Sequence, residues 1–242
     1  MCAHFHNLFT RFCDSKSCEI VDPDGIHPFC LASKVNTEDF PAFRQVLRMP
    51  PEERDKWMDS MDEELQALFD GDALEFVPLS EAIEKGKEVV KTTWALRKKR
   101  RPSGDVYRYK SRLCVRGDLQ RASGSCDTNE TFAPVVEWSA LRMLFSLSIM
   151  ENWTSASIDF KNAFAQASLP EPICLELPPG YSQANPGSND LVLKVKKSLC
   201  GDRRAANLWY RKLRDTLTSS AFGFICSEID PRLFMRGDCI MV

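Results

Sequence analysis

Residues 89–116 read VVKTTWALRKKRRPSGDVYRYKSRLCVR: two runs rich in β-branched and aromatic side chains around a centre that carries proline and glycine. Pro102, Gly104 and Asp105 favour a turn because they supply, in order, a fixed φ, a free φ and a side chain that bonds nearby backbone. The stretch predicts a β-hairpin with strands over residues 89–98 and 106–115. Side chains alternate across a strand, so Arg108, Lys110 and Arg112 share one face of the second strand. Two explanations of that face stand. Charges on an edge hairpin prevent it from pairing with other chains. The same charges, with Tyr107 and Tyr109 between them, suit a grip on phosphates combined with stacking on bases.

The hairpin sits at a sharp change of charge. Residues 51–90 hold thirteen acids against four bases, and residues 91–121 hold eleven Lys and Arg against two Asp. The 242 residues carry a net charge of only −2, so charge distribution, not a global field, is informative. At 43% hydrophobic the chain has the material for a substantial core. Ten cysteines without a regular framework fit a reducing compartment. No apolar run approaches the roughly 18 residues that span a bilayer, and residues 1–12 lack a signal-like start. The expectation is a soluble, intracellular, cytoplasmic chain without membrane contact.

Residues 1–36 show no sustained period and are read as a loose lead-in. His4, His6, Cys13, Cys18, His27 and Cys30 fall there without a C-x2-C pair, so the spacing gives no zinc site. From Pro50-Pro51-Glu52-Glu53 a helix is expected, since proline suits a first turn and acids oppose the positive end of the helix dipole. Trp57, Met61, Leu65 and Leu68 form its apolar stripe. Downstream, the pattern predicts a helix over 139–150 with Leu141, Leu144, Phe145 and Ser148 on neighbouring turns. Strands follow over 155–160, 173–177 and 191–195, then a helix over 203–219 with Ala206, Trp209, Leu213 and Leu217 inward, and an apolar strand from Cys239.

One acid stands out. Residues 156–165 read ASIDFKNAFA, an apolar strand ending on Asp159. A carboxylate at the end of a buried strand is costly unless its charge is compensated, and a divalent metal is one such compensation. In two-metal phosphoryl transfer, carboxylates from neighbouring strands hold ions about 3.5–4 Å apart. The alternative is an aspartate that caps the following turn.

Five stretches taken together narrow these alternatives: Arg108-Tyr109-Lys110-Ser111-Arg112-Leu113, Glu130-Thr131-Phe132-Ala133-Pro134-Val135, Asp159-Phe160-Lys161-Asn162-Ala163-Phe164, Lys197-Ser198-Leu199-Cys200-Gly201 and Asp230-Pro231-Arg232-Leu233-Phe234. In this order and spacing, the chain resembles the reverse transcriptase domain of copia-type retrotransposons from about Phe40 to Val242. The resemblance implies an α+β fold, the polymerase right hand. Its fingers hairpin falls at about 89–116, and an incomplete palm holds a strand at about 155–164 and a helix at about 203–219, all in one partial domain over 37–242.

It also implies roles. Asp159 is one of three metal-binding aspartates, with the backbone carbonyl of Phe160 as a further ligand to Mg²⁺. Phe164 lies beneath the incoming sugar, where a bulky ring clashes with a ribose 2′-OH. Lys98, Lys110 and Arg112 contact the nucleotide, Arg108 and Tyr109 the nucleic acid, and Gly201 a turn that lets backbone approach the nucleotide. The implied partners are an RNA template, a DNA primer and deoxynucleoside triphosphates, within a retrotransposon particle. Where the family commonly reads Tyr-Gly-Leu-Lys-Gln-Ala-Pro, this chain has Cys200-Gly201-Asp202-Arg203-Arg204-Ala205-Ala206. In the family, the last strand runs on into Tyr-Val-Asp-Asp, whose two acids complete the metal site. The expectation is thus a polymerase fragment, inactive by itself, with a non-catalytic nucleic-acid-binding remnant and an unstable relic as the alternatives.

Overall fold

The computed structural model describes residues 37–120, 131–181, 185, 187–188 and 190–242. The expected lead-in over 1–36 lies outside them. The chain divides into two compact units, one from the described parts of Asp24–Phe132 with Asn162–Trp209, the other from Ala133–Lys161 with Tyr210–Val242. Helices and sheets are mixed in an α+β arrangement.

The first unit is organised around one long helix. After the short helix α1 (Phe43–Val46), α2 runs from Pro51 to Asp70. Pro51 stands at its first position, where a missing N–H removes no helical bond, and Glu52 and Glu53 fill its first turn. The expected stripe is borne out: Trp57, Met61, Leu65 and Leu68 are all buried, joined by Ser60. Strand β1 (Leu74–Pro78) and helix α3 (Leu79–Glu84) follow, neither of them expected from the sequence. A two-residue β2 (Val89–Val90) then leads into the hairpin of β3 (Thr92–Arg100) and β4 (Val106–Val115).

The hairpin pairs antiparallel in the expected register region, with Thr92 opposite Val115 and Lys98 opposite Tyr109. A separate four-stranded sheet has the order β1, β6 (Leu191–Lys197), β5 (Ser168–Leu175), β2. Strand β5 is longer than the expected 173–177 segment, and its pairing with β6 is interrupted between Ser168 and Ile173. Pro170 and Pro172 sit in that gap, where neither has an N–H to give the ladder. The core joins α2 to both sheets: Trp57, Leu65 and Leu68 share a cluster with Trp94, Leu96 and Leu113 of the hairpin and with Leu175, Leu193 and Val195 of the sheet.

The second unit contains α4 (Trp138–Met150), the later part of α5 (Ala205–Leu217), and a three-stranded meander, β7 (Ile225–Cys226), β8 (Phe234–Arg236) and β9 (Cys239–Met241). Its core is Leu217, Phe222, Phe224 and Phe234, with Tyr210 and Leu213 packed against them. The Asp230-Pro231-Arg232-Leu233-Phe234 motif is a braced turn. Arg232 N–H donates to Asp230 Oδ1 at 3.0 Å, its Nη2 to Asp230 Oδ2 at 2.8 Å, and Tyr210 O–H donates to the Pro231 carbonyl at 2.8 Å.

Three expectations need correction. Residues 153–160 form no strand: the backbone there is irregular, because a strand persists only where a neighbour accepts and donates its ladder bonds, and β7, β8 and β9 pair among themselves. Helix α4 forms close to its expected bounds, but no residue of it is buried, and Phe145 is exposed. Its sequence is apolar nearly all round, so periodicity could not select a face. On α5, Ala206 is exposed while Ala205 and Asn207 on either side of it are buried, whereas Trp209 is half-buried, Leu213 packs on the core and Leu217 is fully buried as expected.

Candidate nucleic-acid interface

The two faces of the hairpin have different fates. Thr92, Trp94 and Leu96 on β3 and Ser111, Leu113 and Val115 on β4 are buried toward α2 and the core. By alternation, Lys98 and Tyr109 belong to that same face. Lys98 makes an ion pair with Glu53 of α2, and the Tyr109 ring packs edge-on against Trp57 with centroids 4.8 Å apart. The opposite face carries Arg108, Lys110 and Arg112 from β4, and it gains Arg97 and Lys99 from β3, which stand opposite Lys110 and Arg108 in the register. Cross-strand pairing therefore turns an expected row of three bases into a patch of five.

The patch is poorly compensated. Among the described residues, Lys99, Arg108, Lys110 and Arg112 have no ion pair with a carboxylate, and Arg97 lies over the Phe40 ring at 5.5 Å. Burial, followed by the neighbouring charges of Arg112, Lys99 and Arg108, pushes the Lys110 ammonium below its ordinary range. Several bases elsewhere in the same unit are matched with acids. Lys196, for example, bonds Asp72 at 2.8 Å and approaches Glu75 at 3.2 Å. A cluster of like charges that outnumbers its nearby acid, Glu64, is what a phosphate-bearing ligand neutralises.

The position of this face depends on how the free edge of β4 is closed. Its outward backbone groups are met one after another. Ser60 Oγ donates to the Tyr109 carbonyl at 3.1 Å and accepts from Ser111 N–H at 3.0 Å. One helical turn later, Glu64 accepts from the Leu113 N–H. Burial raises the Glu64 carboxyl above its usual range, against the pull of Arg112, that bond and Lys110. Finally, Val115 N–H donates to the Cys200 carbonyl at 2.8 Å. Helix α2 and the turn after β6 thus replace a missing strand, and the hairpin is fixed with its basic face outward.

Gly201 takes its place in that closure. Its φ is +86°, and a Cβ added there would stand 2.1 Å from the Val115 carbonyl oxygen. Gly117 is pressed against the same turn, with an added Cβ 2.0 Å from the Gly201 carbonyl oxygen. The close approach of backbone at Gly201 is to the end of β4. Gly201→Ala adds both a clash with backbone and left-handed strain, and is expected to cost about 2–4 kcal/mol. Urea denaturation measures this, and a loss below about 0.5 kcal/mol would mean that the turn yields freely. The neighbouring Asp202 carboxylate is buried and serves the start of α5, accepting from Arg204 N–H at 2.9 Å.

The remaining expected site residues stand as follows. Asp159 is exposed in the irregular segment of the second unit, and Phe160 beside it is half-buried. Asn162, in the turn that follows, has a φ of +47°, a conformation that asparagine tolerates better than most residues. Phe164, assigned to the first unit, opens a single 3-10 turn closed by Ala167 N–H to the Phe164 carbonyl at 3.0 Å. Among the described residues no three His, Cys, Asp or Glu side chains stand close enough to share a metal ion. The described donor set therefore does not fit the two-metal centre that the resemblance implies.

An α+β chain whose basic hairpin face is short of ion-pair partners is a candidate phosphate-binding domain. Its sequence places it more closely: residues 80–241 match the reverse transcriptase (RNA-dependent DNA polymerase) family, and the chain belongs to that family. It is 27% identical over 238 residues to the retrovirus-related Pol polyprotein from transposon RE2 of Arabidopsis thaliana, covering 98% of this chain and 15% of that protein. It is 32% identical over 195 residues to the corresponding polyprotein from transposon TNT 1-94 of Nicotiana tabacum, covering 81% of this chain and 14% of that one. Over 133 residues it is 28% identical to the truncated transposon Ty1-A Gag-Pol polyprotein of Saccharomyces cerevisiae, covering 54% of this chain and 10% of the relative. This is a reverse transcriptase domain of the copia type, and the chain spans about a seventh of the length of the first two relatives. No solved structure matches it. Among the described residues no helix is long and apolar enough to cross a membrane.

Proposed function

We propose that residues 37–242 are the fingers and part of the palm of a right-hand polymerase, and that the basic hairpin face holds nucleic-acid or triphosphate phosphates. The observation that carries this reading is the patch of Arg97, Lys99, Arg108, Lys110 and Arg112 without ion-pair partners among the described residues. Lys110 and Arg112 are the nucleotide-contacting members and Arg108 contacts the strand backbone. Tyr109 and Lys98, turned to the core face, hold the hairpin on α2. Gly201 keeps the adjoining turn against β4. Phe164 is the candidate for sensing the sugar 2′ position, and Asp159 with the Phe160 carbonyl is the candidate contribution to a divalent-metal site, Mg²⁺ in the first instance. RNA template, DNA primer and deoxynucleoside triphosphates are the proposed ligands, met in the cytoplasm within the element's particle.

On this reading residues 1–242 by themselves bind a template–primer and do not extend it, since Asp159 is one carboxylate of the three that positioned phosphoryl transfer requires. The test is primer extension on an RNA template with Mg²⁺ and all four deoxynucleoside triphosphates, run beside filter binding of the same template–primer. Retention without extension is expected. Mg²⁺-dependent extension that disappears in Asp159→Ala would overturn the inactive reading, and absence of retention at low salt would overturn the binding one.

A further inference from the structure

The turn that closes the β4 edge brings two thiols together. Cys114 and Cys200 are bridge partners in parallel register, anchored by the Val115 N–H to Cys200 carbonyl bond at 2.8 Å. Paired positions on adjacent strands lie about 4.8 Å apart, inside the Cα separation of roughly 4.4–6.8 Å that a disulfide spans. The two thiols lie close enough to shift each other's ionisation, and the Cys114 S–H donates to the Arg112 carbonyl at 3.7 Å. Both are partly exposed, unlike the buried Cys174. Gly201 and Gly117 already press the two backbones together, so joining the sulfurs needs side-chain rotation more than backbone movement. Neither thiol is a residue that the polymerase reading uses, so the pair stands apart from that reading.

We propose that Cys114 and Cys200 are a reversible oxidation site that a hydroperoxide converts to a disulfide, covalently joining β4 to the turn that carries Gly201. Cys200 is the attacking sulfur. Interaction with the Cys114 thiol draws it down to about 7, helped by Arg112 and Lys110 and opposed by burial and Glu64, whereas Cys114 is pushed far up. The Cys200 thiolate attacks one peroxide oxygen, the O–O bond breaks, and the other oxygen leaves as hydroxide and is protonated to water. The resulting sulfenic acid is attacked by the Cys114 sulfur. An S–S bond forms, the S–O bond breaks, and the hydroxyl leaves with the Cys114 proton as a second water. Two thiols lose two electrons and one hydroperoxide gains them. A dithiol reverses the step by exchange.

The wild-type chain of residues 1–242 provides the decisive test. It is reduced, exposed to hydrogen peroxide, alkylated and digested with trypsin without reductant. The expected product is the peptide Leu113-Cys114-Val115-Arg116 linked to Ser198-Leu199-Cys200-Gly201-Asp202-Arg203, released by dithiothreitol and absent from C114S and C200S. Recovery of the two peptides unlinked, with Cys200 carried on to sulfinic acid, would overturn the proposal, as would Cys200 linked elsewhere. A second measurement follows alkylation of Cys200 by iodoacetamide at pH 7. Removing the neighbouring thiol in C114V is expected to slow it about threefold, because the gain in thiolate nucleophilicity offsets part of the lost thiolate fraction. An unchanged rate would count against Cys114 as the group that lowers the Cys200 thiol.

Discussion

Trp57→Ala is expected to lower the stability of the first unit by about 3–5 kcal/mol, a large share of the roughly 5–15 kcal/mol that holds an ordinary domain folded. Trp57 has no exposed surface, and it sits where α2, the hairpin and the four-stranded sheet share one core. Truncation leaves a cavity the size of an indole and removes the edge-on partner of Tyr109. Trp57→Phe separates these contributions. It keeps an aromatic ring toward Tyr109 and deletes the indole N–H, which has no hydrogen-bond partner among the described residues, so its cost is expected to be less than half as large. Urea denaturation followed by tryptophan fluorescence of the remaining residues measures both. A Trp57→Ala loss within 1 kcal/mol of zero would show that α2 is not the support of the hairpin.

The second large effect concerns binding. Neutralising Arg108, Lys110 and Arg112 together as R108Q/K110Q/R112Q is expected to weaken single-stranded nucleic acid about 100-fold at 0.1 M salt. It should also flatten the log–log salt dependence by about 2, since each phosphate contact contributes roughly 0.7 to that slope on a single strand. The three side chains project from the face opposite the core, so the substitutions leave the packing of Trp94, Leu96 and Leu113 in place. K196Q supplies the contrast. Lys196 is already matched by Asp72 and Glu75, and its loss is expected to leave affinity within about twofold. Fluorescence anisotropy at several salt concentrations reads both quantities. Equal affinity and slope in the triple variant and the parent would remove the hairpin from the binding surface.

Much of this arrangement was legible residue by residue. The stripe Trp57, Met61, Leu65 and Leu68 was readable because a period of 3.6 marks one side of a helix whatever it packs on. The hairpin was readable because its turn chemistry is local. The period of two also already separated Tyr109 from Arg108 and Lys110, so stacking and charge interleaved along the sequence do not share one face. Arg97 and Lys99 were missed as members of the patch because membership depends on cross-strand register, and the only signal was their own alternation along β3. Ser60 and Glu64 were missed because one is an ordinary small residue in an apolar stripe and the other an ordinary helical acid. Neither signals an edge-closing role until a strand 49 residues away arrives beside it.

Asp159 shows the same division from the other side. Its motif identified a family, but the alternation around it did not secure a strand, because ladder bonds belong to pairs of segments and cannot be specified by one. By itself the sequence determined the helix of residues 51–70, the hairpin, the family of the domain and the identities of its charged side chains. Only the tertiary structure decided which hairpin face is buried, that five bases stand together, and that two thiols meet where β4 ends. Local periodicity gives each element two distinguishable sides, and contacts between distant segments choose which of them faces water.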